Sequence, residues 1–154
     1  MFREMRRKDR ALTEEQTIKL LEEGNYGVLS LTGENGYAYG VPLNYTYREE
    51  CIYFHCAPEG YKLDHIAFNN KVSFCVVGKT KPLPEKFSYS YESVIVFGMA
   101  SEVSGQEKTD ALTALIGKYS SDFMEKGLAY IRKDADKAKV IRIKIEHITG
   151  KGRS

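Results

Sequence analysis

Residues 37–62, YAYGVPLNYTYREECIYFHCAPEGYK, decide how the chain folds and where it can hold a ligand. The first eleven alternate strictly. Successive side chains of a strand point to opposite faces, so Tyr37, Tyr39, Val41, Leu43, Tyr45 and Tyr47 make a bulky face. Ala38, Gly40, Pro42, Asn44 and Thr46 leave the other nearly bare. Glycine and proline inside a strand mark an edge, a bulge or a close approach to the backbone, and the bare face predicts a platform for something flat. Arg48-Glu49-Glu50 then turns the chain into a second strand, residues 51–56. This strand runs into Ala57-Pro58-Glu59-Gly60, and Lys62 opens a helix. A helix N-terminus presents free N–H donors and a positive dipole end, to which a lysine adds a point charge, so 57–62 is a candidate anion seat.

On the N-terminal side, Thr13 and Gln16 fit a capping box that predicts a helix over 13–23, with Ile18 and Leu21 inward and Gly24 as its C′ glycine. Residues 26–32 are apolar and β-rich, and Asn35-Gly36 is a strong hairpin signal, so the first two strands pair antiparallel. On the C-terminal side a helix over 61–69 places Leu63, Ile66 and Ala67 on one face, with His65 off that stripe. A strand over 72–78 follows. Residues 79–86, with two prolines and three lysines, read as a loop. A long strand over 89–103 bends at Gly98, helices cover 111–119 and 123–132, and a half-exposed strand returns over 139–149. Six strands in this order do not alternate as a doubly wound α/β fold would, and closure into a small antiparallel barrel hides their edges. The expected class is mainly β with helices (α+β), one domain over 1–154 with a basic N-terminal arm, 1–12.

A length of 154 residues suits one hydrophobic core, and a net charge of +2 gives no sign of a nucleic-acid partner. The arm's Arg3, Arg6, Arg7, Lys8 and Arg10 surround Glu4 and Asp9 without a reading helix. Cys51, Cys56 and Cys75 sit in strand-like runs without a Cys-x-x-Cys, which favours reduced thiols and a cytoplasmic location. The charged start without an apolar run behind it gives no expectation of a secretory leader, and with no apolar run of about 18 residues no membrane span is expected. His55, His65 and His147 are scattered, which argues against a metal. Cys56 alternates to the opposite face from His55, against a nucleophile pair, and the chain has no nucleophile elbow, dinucleotide fingerprint or phosphate-binding loop.

At three places, the platform, the anion seat and Tyr91-Glu92-Ser93-Val94, the chain resembles the flavin-binding split-barrel family of pyridoxamine 5′-phosphate oxidase-like proteins, and within it the nitroimidazole-resistance (Nim-type) branch. The matching segments are Met5-Arg6-Arg7-Lys8-Asp9-Arg10, Val41-Pro42-Leu43-Asn44-Tyr45, residues 53–62, Ser93-Val94-Ile95-Val96-Phe97-Gly98 and Ile148-Thr149-Gly150-Lys151. The resemblance implies a six-stranded antiparallel split β-barrel that forms a homodimer with flavin mononucleotide (FMN) at the interface. It implies that Val41, Pro42, Leu43 and Asn44 run along the isoalloxazine ring, that His55, Cys56 and Ala57 lie near the ribityl chain and phosphate, and that Lys62 and Ser93 take phosphate oxygens. It implies an oxidoreductase passing electrons to a small-molecule acceptor such as a nitroimidazole, with no catalytic side chain, since the redox chemistry is the flavin's. The alternatives are a non-enzymatic flavin carrier or sensor, or a barrel holding another planar cofactor such as haem or a deazaflavin. Pyridoxamine phosphate oxidases carry an Arg-Leu-x-Pro type ending, whereas residues 150–154 read GKGRS, so oxidation of pyridoxamine phosphate is not expected.

Overall fold

The Asn35-Gly36 hairpin forms as expected. In the computed structural model, which describes residues 1–154, Gly36 takes φ 87° and β1 (Gly27–Thr32) pairs antiparallel with β2 (Ala38–Leu43). The alternating run then breaks. Asn44 and Tyr45 lie outside any strand, and β3 (Thr46–Arg48) turns through Glu49 and Glu50, at φ 50° and 62°, to pair with β4 (Cys51–Cys56). Two successive positive φ values are what a tight two-residue hairpin demands. With β5 (Lys71–Leu83), β6 (Ser88–Val103) and β7 (Lys139–Arg153) the sheet has seven strands rather than the expected six, in the order β2-β1-β5-β6-β7-β4-β3.

That order explains the barrel. β2 and β3 are opposite edges of the sheet, yet only two residues separate them, a reach of about 10 Å. The sheet must therefore curl until its edges face each other without pairing, which leaves a seam between β2 and β3. Alternate residues of the strands fill the inside: Leu29 and Leu31, Val72, Phe74 and Val76, Val94 and Val96, Ile52 and Phe54, Ile141 and Ile143 are all 5% exposed or less.

Helices stop both barrel ends. Helix α1 (Glu14–Glu23) carries the expected capping box, with the Gln16 N–H donating to Thr13 Oγ1 at 3.1 Å and the Thr13 N–H to Gln16 Oε1 at 2.9 Å. Its Leu21 plugs one end. Gly24 is not the left-handed C′ residue expected, since its φ is −58°. A Cβ there would collide with the Tyr45 hydroxyl and Val76, so glycine serves close packing. Helix α2 (Tyr61–Phe68) stops the other end with Leu63 and Ile66 against the core. Ala67 is exposed and His65 buried, the reverse of the expected arrangement. The His65 Nδ1–H donates to the Tyr61 carbonyl at 2.8 Å, and the ring packs against Tyr39 and Tyr61 with centroids 5.0 and 4.2 Å away.

The expected loop over 79–86 is instead the end of a long hairpin. β5 continues to Leu83 after a register shift between Val77 and Thr80, a single 3₁₀ turn covers Pro84–Lys86, and β6 starts at Ser88. Gly98 marks the expected bulge, with a register shift between Phe97 and Gly98 against β7. Helix α3 (Gly105–Tyr119) begins six residues earlier than the apolar spacing predicts, and α4 (Met124–Asp134) follows it. α3 covers the outer side of β4, where Tyr53, Val103, Ala111 and Val140 form a second core. Glu107 pins it there, accepting from the Tyr53 hydroxyl at 2.7 Å and from Arg142 Nη1 at 3.0 Å. The N-terminal arm returns to the sheet where Ala11 bridges to Lys151 and the Leu12 N–H donates to the Gly150 carbonyl at 3.0 Å. No helix is long and apolar enough to cross a membrane.

Candidate functional site

β2 keeps the two faces its sequence predicts. Tyr39, Val41 and Leu43 pack against the barrel core, while Ala38, Gly40 and Pro42 stand exposed on the outside. A Cβ at Gly40 would meet only Val28 Cγ1, at 3.6 Å, so the space above it is open. The outer face continues across the sheet with larger, partly exposed side chains. Register places Pro42 beside Val28, Cys75, Ile95 and Thr149, and Gly40 beside Ser30, Ser73, Phe97 and His147. As an edge strand, β2 also has backbone groups facing the seam that no strand pairs.

Helix α3 holds the C-terminal end of the platform. The Lys118 ammonium donates to the Tyr45 carbonyl at 3.0 Å and lies 3.9 Å from the Tyr45 ring centroid. The Tyr119 hydroxyl accepts from the Tyr45 N–H at 3.2 Å and donates to the Asn25 carbonyl at 2.7 Å. Asn44 Nδ2 donates to that same carbonyl at 3.1 Å, which orients the exposed side chain and leaves its second N–H and its Oδ1 free for a ligand. The sequence gives no hint of Lys118. Tyr119 fits the helical apolar spacing and reads as core, whereas its hydroxyl closes the β2–β3 crossover.

Burial pushes the Lys118 ammonium down to about 8, and pushes the Tyr45 and Tyr53 phenols up. A lysine whose pKa falls on folding holds fewer protons in the native state than in the unfolded chain between pH 8 and about 10.4, so stability rises with pH there. Tyrosines whose pKa rises on folding act oppositely, keeping their protons above about pH 10 while the unfolded chain loses them, so stability falls there. The partly buried Cys51, Cys56 and Cys75 thiols, raised on folding, pull stability down over the same range, so the lysine is read by difference: the unfolding free energy of wild type minus that of Lys118→Met, from urea titrations, is expected to rise between pH 8 and about 10.4. A difference that stays constant over this range would contradict this placement of Lys118.

At the α2 end of the seam the anion seat has the geometry its sequence suggests. Gly60, at φ 153°, is the N-cap and supplies no side-chain cap, which leaves the first N–H groups of α2 without side-chain partners. Lys62 Nζ lies 5.5 Å from the Phe54 ring centroid. Tyr61 at the helix start meets Tyr39 of β2 edge-on at 5.0 Å, which ties the helix start to the platform strand through the strand's core-facing side. Cys56 points toward the core and His55 away from it, as alternation requires. His55 keeps surface in solvent, yet partial burial and then the Lys62 ammonium lower its pKa, which favours the neutral ring. Burial raises the Cys56 thiol, only partly offset by Lys62 and Lys139, so it is a poor nucleophile.

Ser93 is not brought to this place. His55 pairs with Val140, which pairs with Val103, whereas Ser93 lies ten residues back along β6 in register with Val77 and Lys151. That is roughly 30 Å of extended strand. Within one chain, Pro42 stands on the outer face of β2, Val41 and Leu43 lie on its core side and Asn44 follows in the crossover, while His55, Cys56, Ala57 and Lys62 gather at the α2 end and Ser93 stands at the α1 end. The open outer face, the free strand edge and the uncapped helix suit a planar ring with an anionic tail.

Among curated proteins none matches this chain in sequence. Solved structures give its fold. A candidate 5-nitroimidazole antibiotic resistance protein from Bacteroides thetaiotaomicron superposes with a TM-score of 0.79 at 24% identity, over 92% of this chain and 85% of the other. A FAD and heme binding protein from Mycobacterium smegmatis gives 0.79 at 16% identity over 92% and 72%. A FAD-binding protein from Mesorhizobium loti gives 0.64 at 23% identity over 94% and 98%. Residues 13–152 match the pyridoxamine 5′-phosphate oxidase family, from the helix cap at Thr13 to the end of β7. With nearly all of its length inside that match and the same split-barrel architecture, the chain belongs to the pyridoxamine 5′-phosphate oxidase-like family.

Proposed function

We propose that the chain is a cytoplasmic FMN-binding oxidoreductase, working as a homodimer, in which reduced flavin passes electrons to a small acceptor such as a nitroimidazole. The observation that carries this reading is a pair of features on neighbouring elements, the bare outer face of edge strand β2 and the uncapped start of α2 with Lys62, the two elements being joined by the Tyr39–Tyr61 contact. Neighbouring folds named for FAD binding support a flavin, and a single phosphate tail suits a seat of one helix end and one lysine. The backbone of β2 beside Pro42, which has no N–H of its own, is where the N5-side donor is sought. When bound, the flavin supplies two-electron chemistry: an external two-electron donor reduces it, and two electrons with two protons take a nitro group to a nitroso group and water. The protein's part is to orient the ring and to seat the phosphate.

The separation of Ser93 from Lys62 within one chain supports the homodimer. If both take oxygens of one phosphate, a second copy must bring its own β6 to the site, with the flavin between protomers. Lys62→Ala is expected to weaken FMN binding about tenfold or more, as loss of a charge-assisted hydrogen bond does. Lys79→Ala, on the exposed β5–β6 hairpin, should leave it unchanged. Equal affinities of the two variants in a fluorescence titration would remove the phosphate assignment.

A further inference from the structure

Phe97 of β6 and His147 of β7 are register partners on the outer face of the sheet, with ring centroids 6.3 Å apart. Phe2 from the N-terminal arm nests against both. Its ring lies 5.1 Å from Phe97 at 20° and 4.8 Å from His147 at 9°, so all three rings are close to parallel. A cavity of about 490 Å³ opens beside it, with Lys71, Ser30, Ser73 and Glu146 among its walls. Little besides the stack holds Phe2 in place. Residues 1–6 make no backbone hydrogen bond, and their one ion pair, Glu4 with Lys8 at 2.7 Å, is exposed at both ends. Stacking of this kind shifts an equilibrium by roughly two- to tenfold, which puts the segment among those that open readily.

We propose that the notch over Phe97 and His147 is a subsite for a small planar aromatic ligand, and that Phe2 is the ring that fills it when no ligand is present. The walls define the ligand further. Lys71 offers an ammonium and Ser73 a hydroxyl, while Glu146, carried to the cavity by the bulge opposite Gly98, offers a carboxylate. Opposite charges on one small cavity favour a neutral, strongly dipolar ring over an anion or a cation. Its electron-rich substituent would face Lys71 and its positive edge Glu146. A nitro-substituted azole has that charge distribution.

The site is continuous with the platform. Gly40, Ser30, Ser73 and Phe97 are register neighbours on successive strands, so Phe97 lies three strand spacings, about 14 Å, from Gly40. That leaves room for a tricyclic ring at one end and a single ring beside it. On the reading of the preceding subsection, on which this role rests, the guest is the electron acceptor.

The test uses 2-methyl-5-nitroimidazole as probe, titrated into the full chain with and without FMN while the His147 imidazole resonances are followed, assigned through His147→Gln. In the wild type the probe is expected to shift His147 saturably. In Phe2→Ala the starting shift differs because the ring current of Phe2 is gone, and the probe binds about three- to tenfold more tightly. The KM for the probe falls by the same factor in the FMN-loaded variant at unchanged kcat. Phe97→Ala should abolish the His147 response. A His147 signal unmoved by probe in both wild type and Phe2→Ala overturns the subsite, even if FMN binds. A His147 response in a protein that fails to bind FMN upholds the subsite and refutes the flavin reading instead.

Discussion

Tyr45→Ala is expected to destabilise the fold by about 3–5 kcal/mol, the range for deleting a buried aromatic ring, and to do so from a residue outside any strand. Tyr45 is fully buried, and its ring meets Phe74 edge-on at 4.9 Å and 74°. Its hydroxyl donates to the Leu21 carbonyl, in the last turn of α1, where no backbone N–H reaches it. Lys118 and Tyr119 engage the backbone on its other side. One residue thus ties the two sheet edges, the α1 plug and the α3 end together. A loss of this size is a large part of the stability of an ordinary domain. Tyr45→Phe keeps the ring and should lose only about 1–2 kcal/mol for the hydrogen bond and the orphaned carbonyl. Urea unfolding of the two variants separates the contributions, and an alanine variant within about 1 kcal/mol of wild type would show that the crossover is not a structural joint.

Gly40→Phe is expected to reduce FMN affinity by at least tenfold while leaving the fold intact. The two effects separate because of where Gly40 points. Its side-chain direction is outward, it meets only Val28 at 3.6 Å, and its φ is not in the left-handed region, so a side chain there neither invades the core nor strains the backbone. A phenyl ring would instead stand on the bare face. It would occupy the volume assigned to the isoalloxazine ring and exclude it by steric overlap, which no small rearrangement of an edge strand relieves. Gly27 is the useful contrast, since a Cβ there would run into the Phe74 ring and test core packing instead.

Much of this architecture is legible locally. Thr13 and Gln16 announce α1, Asn35-Gly36 the first hairpin, and Gly98 the bulge, because each acts through residues within a few positions of itself. The break at Asn44-Tyr45 is not, because the alternation runs unchanged through residues 37–47. What ends β2 is the pull of Tyr45 into the barrel, fixed by Leu21 and by helix α3 more than seventy positions away. Polar composition hides the end of β5, since Lys79 and Lys81 face solvent on a strand that needs only β6 to pair with. His65 is misread for a related reason. Its burial depends on Tyr39 and on Gly33, whose missing Cβ would lie 3.2 Å from His65 Nε2, and neither is on its own helix.

The site divides along the same line. The bare face of β2 and the run from His55 to Lys62 are visible in the sequence because alternation and helix-start chemistry are short-range. That β2 meets the start of α2, through Tyr39 and Tyr61, follows from strand order, which pattern alone does not give. The resemblance groups Ser93 with Lys62, whereas the register separates them within one chain. Phe2, Phe97 and His147 are invisible as a group in the sequence, since three strands of register and a returning arm are needed to stack them.

The most direct test of the central claim is an equilibrium titration of FMN, by quenching of its fluorescence, into the purified flavin-free wild type and Gly40→Phe side by side, with circular dichroism to show that both are folded. The account predicts saturable binding at one FMN per chain in the wild type and at least tenfold weaker binding in the variant. No binding by the folded wild type, or the same affinity in both proteins, would contradict it.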